Sequence, residues 1–341
     1  MAGSVRLSPG ASFPTMLAAH MKSRCIITIG NFDGVHLGHR AILALAAERA
    51  RAAGASVKVL TFEPHPASVL RPGHEPPRLS SLDEKRALLK LAGADEVIVL
   101  EPTRELLALE PRQFIVKLIT EHHPLAFVEG IDFRFGRSRA GDVQTLRALG
   151  GELDFETILV PDEEVAMSDH LLAPVSSSLV RWLLSHGRVV DAAIALGRPF
   201  SLGGIVVQGD QRGRTLGIPT ANLDPAVIAG RAIPMDGVYA GLAETSQGVV
   251  KPAAISIGIK PTFAGKARTI EAHLLDYHGD LYGQPITIRF GRWLREQQSF
   301  SSLAALKGQL ERDVAQVCEL AKLEALFPPM RTSPLALPQV R

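Results

Sequence analysis

Apolar and polar positions along this chain follow two rhythms in succession. From Arg24, short unbroken apolar runs alternate with stretches whose apolar residues recur every three or four positions, the spacings of buried strands and of amphipathic helices respectively. CIITIG precedes a helical stretch that starts at Leu37 and ends at Gly54, and SVKVLTF follows it, which predicts one strand–helix–strand unit. The alternation continues through helix DEKRALLKLAG and strand EVIVL, helix PRQFIVKLITEH and strand LAFVE, then helix QTLRALGG and strand FETILV. Five short apolar strands separated by helices predict a Rossmann-like, doubly wound parallel sheet.

Near residue 173 the rhythm changes. Two short helical stretches, about Leu179 to His186 and Val189 to Leu196, give way to text dense in Gly and Pro in which GGIVVQG, DGVYAGLAE, KPAAISIG, TIEAHLLDY and PITIRFGRW read as successive strands. This pattern predicts an antiparallel Greek-key β-barrel covered by a last helix over Ser302–Ala325. The expected class is therefore α/β followed by all-β, with a first module over residues 20–185, a barrel module over 186–328 and an irregular, proline-rich tail over 329–341.

Composition narrows the picture. A chain of 341 residues is long enough for two cores, and 46% hydrophobic with 21% charged residues is the balance of a soluble globular protein. Thirty-seven basic against 35 acidic side chains leave a formal charge of +2, too even for the phosphate neutralisation that nucleic-acid binding demands, so anion sites should be local. The two cysteines, Cys25 and Cys318, lie far apart without metal or redox spacing. No apolar run approaches a membrane span and the first 24 residues hold no secretory h-region, so a cytoplasmic, membrane-free protein is expected, as a monomer or weak homo-oligomer.

The densest chemical text is GNFDGVHLGH at 30–39, where the first strand ends and the first helix begins. Glycines, helix N-terminal amides and the helix dipole make that edge of a parallel sheet suited to phosphate. His36 and His39, three apart, can turn both rings to one anion. In the barrel half, GDQRGRTLGIPTAN at 209–222 combines glycines, two arginines and a closing hydroxyl and amide, a phosphate cradle with hard oxygen ligands for Mg²⁺. In TIEAHLL, Glu271 and His273 should share one face of a strand. Taken alone, a strand glutamate is usually only solvated, Asp132 could equally cap a loop, and Ser176–Ser178 could be a plain N-cap run.

These strings resemble the bacterial bifunctional riboflavin kinase/FMN adenylyltransferase (FAD synthetase) family. HxGH after a strand is similar to nucleotidyltransferases at large, whereas the longer GNFDGVHLGH, FEPHP at 62–66 and GIDFRFG at 130–136 are similar to FAD synthetases. The barrel text is similar to the GRxLGFPTAN pattern of riboflavin kinases, and the likeness runs on through DGVY at 236–239, GIKPTF at 258–263, LYG at 281–283 and Leu294-Arg295.

The resemblance implies phosphorylation of riboflavin to FMN in the barrel and adenylylation of FMN to FAD in the first module, with ATP and Mg²⁺. His36, His39 and Glu271 would be catalytic. Gly30, Phe32, Asp33, Gly34, Gly38, Ser176, Ser177, Ser178 and Arg181 would hold the first ATP, and His65, Pro66, Asp132, Phe133 and Arg134 the FMN. Gly209, Arg214, Gly217, Pro219 and Thr220 would hold the kinase ATP, Thr220 and Asn222 the metal, and Arg295 the flavin. The text departs from the family pattern at Ser178, Leu179, Phe200, Ile218 and Ser256. Two rivals follow: a chain keeping one of the two activities, or a flavin- or nucleotide-binding regulator.

Overall fold

The structure is a computed structural model that describes residues 24–209, 217–262 and 265–329. Arg214 and the tail from 330 onward lie outside the described residues.

In the first module, strands β1 (Cys25–Gly30), β2 (Ser56–Phe62), β3 (Glu96–Leu100), β4 (Pro124–Gly130) and β5 (Glu156–Val160) form one parallel sheet in the order β3-β2-β1-β4-β5. Between them run α1 (Leu37–Ala53), α2 (Pro66–Leu70), α3 (Leu82–Leu91), α4 (Arg104–Leu107), α5 (Pro111–His122) and α6 (Val143–Leu153). Alternation along the strands sorts their side chains into two cores. Ile26, Val57, Val59, Ala126 and Val128 meet Leu43, Ala46 and Ala50 of α1 and Leu89 of α3. On the opposite face Ile27, Ile29, Leu60 and Phe127 meet Phe114, Ile115 and Leu118 of α5 and Leu146 of α6. Burial on both faces explains why the sequence shows unbroken apolar runs here. Helix α1 stops at Gly54, which caps it in the left-handed conformation at φ 60°.

A two-stranded hairpin, β6 (Glu164–Ala166) and β7 (Leu172–Pro174), and a helix pair, α7 (Ser177–Ser185) and α8 (Val189–Leu196), lead into the barrel. Its strands are β8 (Phe200–Val207), β9 (Ala221–Leu223), β10 (Gly237–Thr245), β11 (Val250–Thr262), β12 (Gly265–Leu274) and β13 (Pro285–Arg295), with the short helix α9 (Pro225–Ile228) after β9. They close in the order β10-β11-β12-β9-β8-β13. Strand β13 returns beside β10, the first of the meander β10-β11-β12, which is the Greek-key connection. The sequence pattern predicts five strands and the barrel has six, because β9 is three residues long and offers no alternation to read. Helix α10 (Leu303–Lys322), capped by Ser302, covers the wall through Val317, packed with Ala240, Leu275 and Leu326.

The two modules share one core. Leu37 and Leu79 of the first module, Val180, Leu183 and Leu196 of the helix pair, and Phe200, Tyr239 and Ile255 of the barrel belong to a single buried cluster. Backbone also crosses the seam: Arg78 N–H donates to Gly230 O at 2.8 Å, and Ala232 N–H to Arg78 O at 2.8 Å. Beside this short ladder Arg231 Nη2 meets Glu84 Oε2 at 2.9 Å, with the Arg231 side chain only 7% exposed.

Candidate active sites

Strand order reverses at β1, so the carboxyl ends of β1 and β4 splay apart, the place where open α/β sheets take ligands. A cavity of about 270 Å³ opens there, lined by Asn31, Phe32, His36, Gly38, His39, Gly130, Asp132, Ser176 and Ser177 among others. The loop that enters it is built against preference. Phe32 and Val35 sit at φ 47° and 40°, and a β-branched residue such as Val35 pays heavily in the left-handed region. Gly34, at φ 78°, has no room for a side chain, since a Cβ would lie 2.8 Å from Leu79. The conformation is held by Val35 N–H on Phe32 O and by Arg198, whose guanidinium donates to Gly34 O at 2.6 Å and Val35 O at 3.3 Å.

His36 is the N-cap of α1: its Nδ1 accepts from His39 N–H at 3.4 Å, which leaves Nε2–H as the donor of the neutral ring. The His36 and His39 rings stack with centroids 3.6 Å apart. Burial pushes the His36 imidazole down to about 3, with Arg198 and Arg181 adding to the effect. Burial likewise pushes His39 well down, followed by the influence of His36 and Lys85. Both rings are therefore neutral donors at neutral pH, and His39 Nδ1 is a buried atom with no hydrogen-bond partner among the described residues.

The remaining first-module residues fall into three groups. Asp33 is buried and accepts from Leu79 N–H, Ser80 N–H and Arg181 Nη2, the last at 2.5 Å. Arg181 also donates from Nε to Pro77 O, and Ser177 Oγ to Asp33 O. Asp33, Arg181 and Ser177 thus lock the loop to α7, with Ser176 capping that helix through Leu179 N–H and Ser178 exposed. His65 caps α2, which Pro66 begins, and His65 joins Asn31, Glu63, Arg78 and Lys85 around a smaller recess beside the cavity. Asp132 faces the cavity. Phe133 stacks on Phe135 and Arg134 pairs with Asp142 at 3.1 Å, both outside the cavity lining. Gly30 closes β1 at the cavity edge.

In the barrel, β9 lies antiparallel to β12 with Asn222 opposite Glu271. Thr220 Oγ1 donates to Glu271 Oε2 at 3.2 Å, and Asn222 Nδ2 to Thr220 O at 3.4 Å. His273, two residues along the same face, donates from Nδ1 to Pro219 O at 2.7 Å and so pins the approach to this cluster. Gly209 comes close on the other side: a Cβ there would stand 2.6 Å from the Asn222 amide. Gly217 turns the chain at φ 80°. The Thr220 hydroxyl and the Asn222 amide oxygen are hard ligands that fit Mg²⁺, an ion that keeps several waters and substrate phosphates, and the Glu271 carboxylate stands beside them. Arg295 is held elsewhere, in a two-pronged pair with Asp313 of α10 at 2.7 to 3.2 Å.

Three of the departures in the text find partners. Phe200 packs in the core against Phe290, Ser256 Oγ accepts from Gln297 Nε2 at 2.9 Å, and Leu179 packs on the shared core. The residues of these sites that escaped the sequence reading include Asn31, Glu63, Arg78, Lys85, Gly130, Arg198 and Gln297. Of these Asn31, Glu63 and Gly130 lay inside strings already singled out for their chemistry.

A phosphate-ready loop at the switch point of a parallel sheet and an oxygen cluster on a barrel wall define a two-module transferase of phosphorus-containing groups. The FAD synthetase family model matches residues 18–170 and the riboflavin kinase model residues 196–321. The chain belongs to the bifunctional riboflavin kinase/FMN adenylyltransferase family. It is 38% identical to the protein of that name from Escherichia coli (strain K12), over 85% of this chain and 90% of the relative. To its namesake in Pseudomonas fluorescens it is 38% identical, over 87% and 93%, and to that in Bacillus subtilis (strain 168) 33%, over 88% and 93%. A solved structure described as a macrolide-efflux protein from Streptococcus pneumoniae superposes with a TM-score of 0.78 at 29% identity, covering 87% of this chain and 94% of that one. Among the described residues no helix is long and apolar enough to cross a membrane.

Proposed function

We propose that the barrel transfers the γ-phosphate of ATP to the 5′-hydroxyl of riboflavin, and that the first module joins AMP from a second ATP to the phosphate of FMN, releasing pyrophosphate. The observation that carries this reading is the stacked His36–His39 pair lining the switch-point cavity, in a chain that also sets Thr220 and Asn222 around Glu271.

In the barrel, Thr220 and Asn222 would hold Mg²⁺, which when bound offsets the charge of the polyphosphate. Glu271 orients the riboflavin hydroxyl and accepts its proton as the new O–P bond forms. Gly209, Gly217 and Pro219 would hold the kinase nucleotide together with Arg214, which the sequence places between Gly209 and Gly217. In the first module, an FMN phosphate oxygen attacks the α-phosphorus and the bond to the β-phosphate bridge breaks, so no protein nucleophile is required. His36 and His39 donate to the oxygens on which charge grows. Ser176, Ser177 and Gly38, which line the cavity, border the polyphosphate, and Asp132 and His65 border the FMN. Arg295, tied to Asp313, shapes the flavin end of the barrel. We place the division between the modules at residues 185 and 186, inside the helix pair, and the enzyme in the cytoplasm.

The test is to incubate the purified protein with riboflavin, ATP and magnesium and separate the flavins. Both FMN and FAD are expected, and neither product above a blank without enzyme overturns the reading. Glu271→Gln should slow FMN formation by about 10² to 10⁴ while FMN-to-FAD conversion survives. His36→Ala should remove about 10² to 10³ from adenylyl transfer and spare the kinase.

A further inference from the structure

Strands β1 and β4 pair as a ladder only as far as Ile27 and Phe127. Carried on toward the cavity, the same register would set Ile29 opposite Glu129, but the ladder has ended by then. The outer pairings persist, with Ile29 still beside Leu60 of β2 and Glu129 beside Leu159 of β5. On the parting edge the Ile29 N–H has lost its backbone acceptor, and a buried amide needs one. The side chain of Glu129 supplies it: Oε1 accepts from Ile29 N–H at 2.8 Å.

Glu129 is a costly residue to keep there. It is 1% exposed, and burial pushes its carboxyl well above the ordinary carboxylate value, against the pull of the Ile29 N–H and with Asp132 adding to the rise. A carboxyl so placed favours its neutral form, which accepts a hydrogen bond through its carbonyl oxygen as an amide does. An apolar side chain would fill the volume without the cost of burying a polar group, so what distinguishes Glu129 is the bond it makes. Ile29 leads into Gly30 and Asn31, which open the loop of His36 and His39, while Glu129 leads into Gly130 and Asp132. Asn31, Gly130 and Asp132 all line the cavity. One side-chain bond therefore joins the two walls at their base, beyond the last backbone pairing between them.

We propose that Glu129 is a positioning residue for adenylyl transfer, spacing the loop of the histidine pair from the Asp132 wall across the cavity. The inference rests on the adenylyltransferase reading of that cavity. Glu129 acts through Ile29 and touches no substrate. By tying β1 to β4 where their ladder has stopped, it keeps His36 and His39 in register with whatever lies against Asp132, and a misplacement of about 1 Å between reacting groups costs about 10² in rate.

Three substitutions separate the bond from the bulk. Glu129→Leu fills a similar volume but leaves the Ile29 N–H without its acceptor, Glu129→Asp keeps the carboxyl on a shorter stem, and Glu129→Gln keeps a neutral oxygen at the same reach. We expect kcat for FMN-to-FAD conversion to fall at least about tenfold in Glu129→Leu and at least about threefold in Glu129→Asp, with Glu129→Gln within about threefold of the parent. The loss should fall on kcat, with KM for FMN and for ATP within about threefold of the parent, because the bond sets geometry between groups and not their capture. Riboflavin phosphorylation by the same chains should be unchanged, which checks folding; where Glu129→Leu loses it, the Asp and Gln variants decide. Smaller losses than these in Glu129→Leu or Glu129→Asp overturn the proposal, as does a Glu129→Gln chain as impaired as Glu129→Leu, or a loss carried by KM. A parent chain that makes FMN but no FAD would instead overturn the reading on which it rests.

Discussion

Asp33 and Arg181 are 148 residues apart in the chain and 2.5 Å apart in the fold. Nothing in either local string announces that they face each other, although both strings were legible as phosphate-binding text. A motif reveals which residue types a ligand needs, while the partner that fixes each one comes from another part of the chain and leaves no periodic trace. Glu271 was legible in the same limited way: its face of β12 follows from alternation, but its bond from Thr220 depends on β9. Gly209 shows how tightly that corner is drawn. Gly209→Ala drives a methyl into the Asn222 amide, and displacement of this order at a site should cut kinase turnover by about 10² while FMN adenylylation continues, which the flavin separation assay measures. His36 carries a pH signature. Its folded value of about 3 lies below the 6.5 of the free side chain, so the unfolded chain takes up a proton that the folded one refuses as pH falls below about 6.5. Stability from this group is complete above that pH and declines toward pH 3, by at most about 1.4 kcal/mol per unit. Melting temperatures recorded between pH 7 and 4 should therefore fall less steeply for His36→Asn than for the parent.

At the scale of elements, the strands that fill both cores of the first module and the five long strands of the barrel were readable because burial imposes a period on them. The elements that escaped were short: β9, the β6–β7 hairpin, and the helices α2, α4 and α9, each of five residues or fewer. Such segments are fixed by what they pair with. Strand β9 is the costly omission, since it carries Asn222 and sets it against Glu271. The cap of α3 illustrates the converse, a local device put to long-range use. Ser81 and Glu84 form a capping box that the sequence could show, yet Glu84 also receives Arg231 from the barrel side. Arg231→Met should leave the cap intact, because Ser81 N–H still donates to Glu84, and should lower the stability of the whole chain by about 1 to 3 kcal/mol in urea denaturation.

Across the whole molecule, the two-module organisation was visible as a change of rhythm, but the way the modules join was not. Periodicity shows that a helix has an apolar face, and both α7 and α8 have one; it does not say which neighbour covers that face. Here one cluster runs from Leu37 and Leu79 through the helix pair into the barrel, and the Gly230–Ala232 segment adds its backbone to Arg78. Cooperative units follow continuous cores. Calorimetry of the full chain should accordingly show a single melting transition, with barrel and first module losing activity together on heating; two resolved transitions would contradict the shared core.

Arg198 gives the join a direction. By sequence it belongs to the riboflavin kinase segment, but its guanidinium grips the carbonyls of Gly34 and Val35 on the adenylylating side. Arg198→Met should then depress FAD formation and spare FMN formation, the reverse of what its address in the chain implies. Ownership of a residue by one half of the text and by the opposite half of the machinery means that a map of variants drawn along the sequence will misfile this one, and that the FAD-forming half leans on its neighbour for the shape of its own loop.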